Sequence, residues 1–435
     1  MKPPLPPAIR APHPQTTLSR RGFLVTAGQM LAASGLSGAA LDASGQALPD
    51  PGGQQNKVDL PALHAATEAP EKSPSPPEPA SQRTGYAIVG LGHLSLEQIL
   101  PAFGKSKLSK PAALVSGDRA KALKVAAQYG IPESGIYDYR TYERLADNPD
   151  VRVIYIVLPN AMHREYVERG AKLRKHILCE KPMATSARDC EAMIAACRAA
   201  SVKLMIAYRQ QYEPMNRAII KLVREGGLGT PLSFIASNSQ NQGDPNQWRQ
   251  KLALAGGGCL PDVGIYCINA ARFLTGQEPS EVFGTLHQPT DDPRFREVEE
   301  TCSFLMKFPS GLTASCNSGY GQHRSQFLRL EGDRQWAELS PAFAYTGLKL
   351  RLNRVEDKRN VLVEPSISEI DQFAREMDHM SLCVQRNLEP HTPGEEGLQD
   401  QRIVEAIYQS ARTGRSVKLA PPSRPTRGPD PAEDA

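Results

Sequence analysis

The sequence predicts an α/β protein with two folded domains: an N-terminal domain built on a parallel sheet and a C-terminal α+β domain with a large, mostly antiparallel open sheet. From Tyr86 to Ala207, short apolar runs alternate with helical segments, which is typical of a parallel sheet buried on both faces. Beyond Pro231, apolar residues alternate along segments such as 298–308 and 312–318, the period of a half-exposed strand. A chain of 435 residues is long enough for two or three domains.

Charge and cysteine content exclude several classes of function. The 51 Lys and Arg nearly balance the 47 Asp and Glu, for a net charge of +4, and the basic residues are too scattered to suggest a nucleic-acid surface, so we expect no nucleic-acid partner. The chain has 8 cysteines and contains no C-x-x-C or H-E-x-x-H motif. We therefore expect no metal site and no thiol redox chemistry, and we interpret the cysteines as small core residues.

The N-terminus has the form of an export signal. Arg20 and Arg21 precede an uncharged stretch, residues 22–41, that is too weakly apolar to predict stable membrane insertion. Residues 1–47 resemble a twin-arginine signal, which implies the twin-arginine export machinery as a partner and a periplasmic location. The alternative is a chance arginine pair before a disordered run of Ala and Gly.

Two segments lack the composition of a packed core. Residues 48–84 are rich in Pro, Gly, Ser and Gln, and they form either a spacer or an extended arm that lies on a neighbouring subunit. Their length favours the arm. Residues 421–435 are again rich in Pro and charge and predict a loose tail.

A glycine motif marks the start of the first domain, predicted over residues 85–208. The strand-like run 86–89 is followed by Gly90-Leu91-Gly92-His93-Leu94-Ser95. The first glycine permits a tight turn, and the second lets a pyrophosphate approach the backbone at a helix N-terminus. A second strand at residues 112–115 completes a βαβ unit, so the context predicts a Rossmann dinucleotide-binding domain.

The end of the second strand selects the nucleotide. Ser116, followed by Arg119 and Lys121, suits the 2′-phosphate of NADP, whereas Asp118 comes two residues late for the ribose contact that favours NAD. The sequence therefore favours NADP. The alternative for Arg119 and Lys121 is ordinary solvated charge on the first turn of a helix.

Further site residues follow the ends of later strands, where open α/β sheets bind ligands. They are Pro159, Asn160, Glu180, Lys181, Pro182, Tyr208 and Arg209. Pro182 sets a turn, either trans or cis. Arg209 and Tyr212 either line a sugar pocket or brace the domain junction.

These motifs carry a resemblance to the Gfo/Idh/MocA oxidoreductases. The matching motifs are Gly90-x-Gly92, Glu180-Lys181-Pro182, Tyr208-Arg209 and residues 256–266. That family usually has His where this chain has Tyr266. The tyrosine, the leader and Trp248-Arg249 are similar to its glucose-fructose oxidoreductase branch. The resemblance implies sugar substrates, a C-terminal domain over residues 209–420, and an open sheet that packs in dimers or tetramers.

Hydride transfer to or from a sugar needs a group that takes or gives the hydroxyl proton. Lys181 is expected to be partly desolvated, with a lowered pKa. Asp262 and Tyr266, four residues apart in a predicted helix over 262–274, would share one face. The resemblance makes Tyr266 the proton shuttle and Lys181 its electrostatic partner.

The predicted site residues fall into three groups, which are catalytic, substrate-binding and cofactor-binding. The catalytic residues are Lys181, Asp262 and Tyr266, and substrate binding adds Tyr208. The residues predicted to bind the cofactor are Gly90, Gly92, His93, Leu94, Ser116, Lys121, Pro159, Asn160, Glu180, Lys181, Arg209, Trp248 and Arg249.

The resulting hypothesis is an exported NADP-dependent sugar oxidoreductase that oxidises glucose to gluconolactone and reduces fructose to sorbitol. Outside the cytoplasm no pool of NADP is available for exchange, so a retained nucleotide must be reduced by one sugar and reoxidised by another, which is ping-pong hydride transfer. The alternatives are a coenzyme-releasing polyol or inositol dehydrogenase of the same fold and a non-catalytic secreted carbohydrate-binding protein.

Overall fold

A computed structural model describes residues 83–431 of the chain. The predicted signal, nearly all of the Pro-rich segment 48–84 and the last four residues lie outside this range.

The first domain is built on the predicted parallel sheet. Its strands are β1 (Thr84–Val89), β2 (Ser109–Val115), β3 (Ile136–Tyr137), β4 (Val153–Ile156), β5 (His176–Glu180) and β6 (Leu204–Ala207). The strand order is β3-β2-β1-β4-β5-β6, and every pair is parallel. The C-terminal ends of β1, β4 and β5 thus lie side by side.

Short helices connect these strands. A π-helical turn over Ser95–Ile99 leads into α1 (Leu100–Ala102), and the later helices are α2 (Arg119–Tyr129), α3 (His163–Lys172) and α4 (Ala187–Ala199). Asp118 caps α2, because its side chain accepts a 2.9 Å hydrogen bond from the main-chain N–H of Lys121. This role explains why an acid stands two residues after Ser116.

The second domain carries the predicted mostly antiparallel sheet. Its strands are β7 (Pro231–Asn241), β8 (Glu281–His287), β9 (Thr301–Lys307), β10 (Thr313–Gly319), β11 (Gly321–Gly332), β12 (Gln335–Leu339), β13 (Leu350–Glu356), β14 (Arg359–Val363) and β15 (Val417–Lys418). The order is β14-β13-β12-β11-β7-β10-β9-β8-β15, and only β7 and β10 pair in parallel. The predicted fold class is confirmed.

The second domain also contains helices. They are α5 (Pro214–Arg224), α6 (Leu252–Ala255), α7 (Ile265–Thr275), α8 (Gln372–Arg386) and α9 (Gly394–Thr413), with a π-helical turn over Leu260–Gly264 before α7. The helical segment 252–275 is long and apolar enough by composition to cross a membrane. In this fold it is a core element, since Ile268 and Phe273 pack in one cluster with Phe234 and Phe304 of the sheet.

Helix α8 returns from the second domain to the first. Phe373, Met377 and Met380 pack in the same cluster as Tyr86, whose hydroxyl donates to the main-chain oxygen of Met377 at 2.7 Å. Asp378 accepts hydrogen bonds from the N-terminal end of β2. The predicted boundary at residue 208 separates the two domains in sequence, but α8 lies after that boundary and packs against the first domain.

The structure also differs from the predicted loose tail as far as residue 431. Arg427 pairs with Glu396 at 3.1 Å, and Asp430 pairs with Arg217 at 3.2 Å. The main-chain N–H of Gly428 donates to the oxygen of His391 at 3.0 Å. These charges have fixed partners, so the segment packs despite its high proline content.

The cysteines agree with their interpretation as core residues. All eight are buried and none forms a disulfide bond. Among residues 83–431, no group of three or more His, Cys, Asp or Glu side chains is arranged to hold a metal ion.

Candidate active site

The glycine loop after β1 has the geometry that the motif predicts. Gly90 has a φ of +96°, and a Cβ there would lie 2.2 Å from the main-chain oxygen of Val157, so only glycine fits. A Cβ at Gly92 would meet nothing within 4 Å, which leaves open space against the backbone. Ser95 replaces the usual third glycine because its hydroxyl donates to the oxygen of Gly90 at 2.6 Å and closes the turn.

The charges around this loop suit an anionic ligand. The Lys121 ammonium lies 3.4 Å from the main-chain oxygen of Leu91, over the loop itself. The Ser116 hydroxyl accepts from the N–H of Asp118 at 3.1 Å, and it stands at the end of β2 beside the loop. Arg119 instead pairs with exposed Glu133, which agrees with ordinary solvated charge.

The remaining loop residues have local partners. His93 lies 2.6 Å from Glu97 one helical turn later, and Leu94 packs against the core of the first domain. The first N–H groups of this helix have no partner within the helix and attract anions. An open glycine turn, a helix N-terminus and a nearby ammonium together fit the pyrophosphate of a dinucleotide.

Three residues predicted to be catalytic come together at the end of β5. The Lys181 ammonium donates to the main-chain oxygen of Asp262 at 2.7 Å and to its Oδ1 at 3.2 Å. The same ammonium lies 4.6 Å from the ring centroid of Tyr266. The peptide bond between Lys181 and Pro182 is cis.

The predicted helix over residues 262–274 is irregular at its start. Asp262 lies in the π-helical turn, and Tyr266 lies in the first turn of α7, so no regular α-helix runs through both. Both side chains nevertheless reach Lys181, because the lysine approaches the N-terminal end of α7 from the first domain.

Glu299, which no sequence motif indicates, holds the segment before Asp262. Its carboxylate accepts hydrogen bonds from the N–H of Gly258 at 2.8 Å, the N–H of Leu260 at 2.9 Å and the hydroxyl of Tyr408 at 2.9 Å. A Cβ on Gly258 would lie 2.1 Å from the main-chain oxygen of Glu299. The close approach explains a glycine at this position.

Asp262 is held as a carboxylate. Its Oδ2 accepts from Arg249 Nε at 3.1 Å and from the Tyr320 hydroxyl at 2.6 Å. Burial acts to raise the pKa of Asp262, but the charges of Lys181 and Arg249 outweigh it and hold the pKa well below its usual range. Asp262 therefore organises the two cations and is a poor proton carrier near neutral pH.

The predicted lowering of the Lys181 pKa is wrong. Burial does act to lower it, but Tyr266, Asp262 and Glu180 together raise the pKa above its ordinary value. Lys181 is desolvated as expected, but the sequence does not show that the lysine meets a carboxylate and a phenol. Lys181 thus remains an ammonium in the protein.

Arg209 both braces the domain junction and contacts the cluster. Its guanidinium donates to the main-chain oxygens of Phe343 at 2.7 Å and Ala344 at 3.2 Å. It also stacks between the rings of Tyr266, at 5.1 Å, and Tyr345, at 4.6 Å. The two interpretations of this residue are therefore compatible.

Tyr208 and Tyr212 lie in the interior. Tyr208 packs in the hydrophobic core that contains Val89 and Cys179, where burial and the nearby Asp400 raise its pKa. The Tyr212 hydroxyl contacts Thr392 at 2.9 Å in the junction core. The assignment of Tyr208 to substrate binding is therefore corrected, because its side chain turns away from Lys181 while that of Arg209 turns toward Tyr266.

The other predicted cofactor residues connect the two domains. Asn160, which follows Pro159 after β4, donates to the main-chain oxygen of Ala255 at 2.8 Å. Arg249 stacks on Trp248 at 4.5 Å and binds Asp262, so both lie at the edge of the cluster formed by Lys181, Asp262 and Tyr266. Tyr320, on the other side of Asp262, is 58 residues away in sequence and no motif marks it.

Each of the two domains matches a known protein family. The model of an oxidoreductase family with an NAD-binding Rossmann fold matches residues 84–208, and the GFO/IDH/MocA C-terminal domain matches residues 216–338. The chain belongs to the Gfo/Idh/MocA family of oxidoreductases. The predicted family is thereby confirmed.

Several relatives of this chain are named for sugar substrates. D-xylose 1-dehydrogenase (NADP(+)) of Haloarcula marismortui is 34% identical over 77% of this chain and 92% of its own length. D-xylose 1-dehydrogenase (NADP(+)) 2 of Haloferax volcanii is 31% identical over 77% and 99%. The crystal structure of aldose-aldose oxidoreductase from Caulobacter crescentus, in complex with glycerol, is 45% identical over 78% and 100%, with a TM-score of 0.75. These relatives are named for xylose and aldoses rather than for glucose and fructose.

Proposed function

We propose that this protein oxidises an aldose and passes the hydride, through a retained NADP, to a second sugar. The observation that carries the proposal is the meeting of Lys181, Asp262 and Tyr266 at the sheet edge where the glycine loop also lies. The similarity over the whole length of an aldose-aldose oxidoreductase supports two sugars as the substrates.

NADP is the cofactor. Lys121 and Ser116 lie beside the glycine loop, and both D-xylose dehydrogenases are named for NADP(+). When bound, the nucleotide accepts or donates the hydride. The loop, the helix N-terminus and Lys121 would hold its phosphates.

Tyr266 moves the proton of the reacting hydroxyl. Lys181 and Arg209 flank its ring, and their positive charges stabilise a phenolate that forms when Tyr266 gives its proton to a carbonyl. Asp262 holds Lys181 in place and offers its carboxylate to a sugar hydroxyl. The same phenol serves as acid in one half-reaction and, as phenolate, as base in the other.

A sugar-pair assay on purified protein tests the proposal. Mass spectrometry of the nucleotide released by denaturation should identify NADP. Mixtures of an aldose, glucose or xylose, with a second aldose or fructose should turn over without added nucleotide. Protein that purifies without nucleotide, or that turns over only with free NADP, would contradict retention.

A sugar dehydrogenase that releases its coenzyme is the second candidate. The two D-xylose 1-dehydrogenases favour it, because their names specify NADP(+) and one sugar. A rate that rises with free NADP and saturates would identify this activity. A non-catalytic sugar-binding role predicts that sugars leave the absorbance of bound nucleotide unchanged.

We propose export to the periplasm through the Arg20-Arg21 signal. Cell fractionation should find the unmodified chain in the periplasm and the chain with both arginines changed to lysine in the cytoplasm. Equal distribution of the two chains would contradict a twin-arginine route.

We also propose a homo-oligomer formed through the open face of the second sheet. Ile235 is 38% exposed and Leu305 is 50% exposed, and the register of β7, β10 and β9 places them in one row on that face. Leu305→Lys should shift gel filtration to a smaller species. An unchanged elution volume would argue against this face.

A further inference from the structure

Two buried carboxyl groups share one tyrosine hydroxyl next to Lys181. Tyr155 of β4 places its hydroxyl 2.8 Å from Glu180 Oε1 and 3.1 Å from Glu376 Oε1. Glu180 ends β5 directly before Lys181, and Glu376 comes from α8. Tyr155 and Glu376 are fully buried, and Glu180 is 7% exposed.

If both carboxyl groups were ionised, this group would have too few hydrogen atoms to form both hydrogen bonds at the Tyr155 oxygen. A hydroxyl has one hydrogen, so Tyr155 can donate to one carboxylate only. The second contact needs a proton on the other carboxyl. Glu180 Oε2 also accepts the N–H of Lys181 at 3.2 Å, which favours its ionised form.

Glu376 is less favoured than Glu180 to be ionised. Its Oε2 is buried and has no hydrogen-bond partner among the described residues. An ionised carboxylate with one unpartnered oxygen is costly in a protein interior, whereas a protonated one leaves only a neutral carbonyl oxygen there. Burial and the charge of Glu180 also raise the pKa of Glu376 well above its ordinary value.

We propose that Glu376 is a positioning residue that carries a proton and, through Tyr155, fixes the Glu180 carboxylate beside Lys181. The chain of donors runs from Glu376 to the Tyr155 oxygen and from the Tyr155 hydroxyl to Glu180. Of the two glutamates, only Glu180 then presents a negative charge to Lys181 and Arg209, beside the charge of Asp262 on Lys181. This inference rests on the proposed function, in which both cations serve Tyr266.

Charged and titratable groups from each neighbouring element face this carboxyl. They are Tyr155 of β4, Glu180 of β5, Arg209 and Tyr212 from the turn after β6, and Asp371 at the start of α8. Arg209 favours a charge on Glu376, but it already donates to Phe343, Ala344 and Gln372. Glu180, which shares the Tyr155 hydroxyl with Glu376, opposes that charge.

Infrared spectroscopy tests where the proton lies. At about pH 9, where an ordinary carboxyl is ionised, the unmodified protein should show a protonated-carboxyl band that Glu376→Gln loses. Glu395→Gln, which changes a partly exposed glutamate, should keep the band and serves as the control. A band unchanged in Glu376→Gln would overturn the proposal.

Kinetics test the positioning role. Glu376→Gln keeps a neutral group that can donate to Tyr155, so both half-reactions should stay within about threefold of the unmodified rates. Glu376→Leu and Tyr155→Phe break the chain and should lower kcat about 10- to 100-fold, with a smaller change in the sugar KM. If Glu376→Leu fails to fold, Tyr155→Phe decides.

The outcomes separate this inference from the proposed function. If no sugar pair turns over, the proposed function fails, and the infrared band still shows whether Glu376 carries the proton. If sugars do turn over but Glu376→Gln loses as much activity as Glu376→Leu, the residue acts as a charged group and the inference fails.

Discussion

Helix α7 and the turn before it contact two clusters of charge that have different properties. Near its start, Lys181, Arg209 and Arg249 face Asp262 and Glu180, and parts of Lys181 and Arg249 are open to solvent. Near its end, Arg272 lies in a second cluster with Glu278, Glu396, Asp400 and Arg427.

The centre of the second cluster is closed to solvent. Arg272, Glu396 and Asp400 are fully buried, and the Arg272 guanidinium donates to all three carboxyl groups. Two cations face three carboxyls, so one proton on Asp400 makes the cluster neutral. The first cluster has one more cation than carboxylate when Glu376 is protonated. A saturated, neutral network therefore holds the end of α7 in place, whereas an open cluster with excess positive charge can stabilise a phenolate.

Removal of the Tyr266 hydroxyl from the open cluster around Lys181 should have the largest effect. Tyr266→Phe should lower both half-reactions about 10²- to 10⁴-fold, because the proton shuttle is lost, and should leave nucleotide retention intact. Single-turnover reduction and reoxidation of the bound nucleotide measure this. Tyr345→Phe, on the other side of Arg209, is the matched control and should stay near the unmodified rate. Near-normal turnover of Tyr266→Phe would transfer the role to Lys181.

Removing the central cation tests the closed cluster. Arg272→Met leaves buried carboxylates without their partner and should lower the free energy of unfolding by about 3–5 kcal/mol. Denaturant titration measures it. Arg402→Met removes an exposed pair with Glu191 and should cost no more than about 1 kcal/mol. Equal effects of the two changes would contradict a structural role confined to the buried network.

The proton on Asp400 predicts a dependence of stability on pH. Burial raises the pKa of Asp400 to about 7, against the attraction of Arg272. A carboxyl with a raised folded pKa stabilises the fold below its unfolded pKa of 3.8 and loses that contribution as pH rises through about 7. The unmodified protein should therefore lose stability relative to Asp400→Asn between about pH 4 and about pH 7, by at most ~1.4 kcal/mol per pH unit. Urea unfolding at several pH values measures the difference, and a constant difference would rule out the proton.

The smallest effect concerns the segment that closes this cluster. Arg427→Ala removes hydrogen bonds to Glu396 but leaves Arg272, so the free energy of unfolding should fall by about 1–2 kcal/mol. Arg424→Ala, which changes an exposed neighbour 3.7 Å from Glu395, should change it by less than about 0.5 kcal/mol. Thermal unfolding of both variants checks the contrast; the reverse order would show that the segment does not close the cluster.

Local sequence signals predicted the parts of this site that depend on neighbouring residues. Gly90 and Gly92 follow a strand directly, so their spacing alone indicates an open turn at a helix N-terminus. From the sequence, Lys181 and Asp262 could be assigned to the same site only because each lies in a motif. Tyr320, Glu299 and Glu376 lie outside any motif, and the tertiary structure alone shows their contacts with the site.

By itself, the sequence determined the two sheets, their order in the chain and the glycine loop, because strand periodicity and a positive φ at Gly90 are set over a few residues. Only the tertiary structure decided which way Tyr208 and Arg209 turn, the sign of the Lys181 pKa shift and the packing of residues 421–431. Each of these depends on charges brought together from distant parts of the chain. Electrostatic energy in a buried site follows distance in space, which spacing along the sequence does not give.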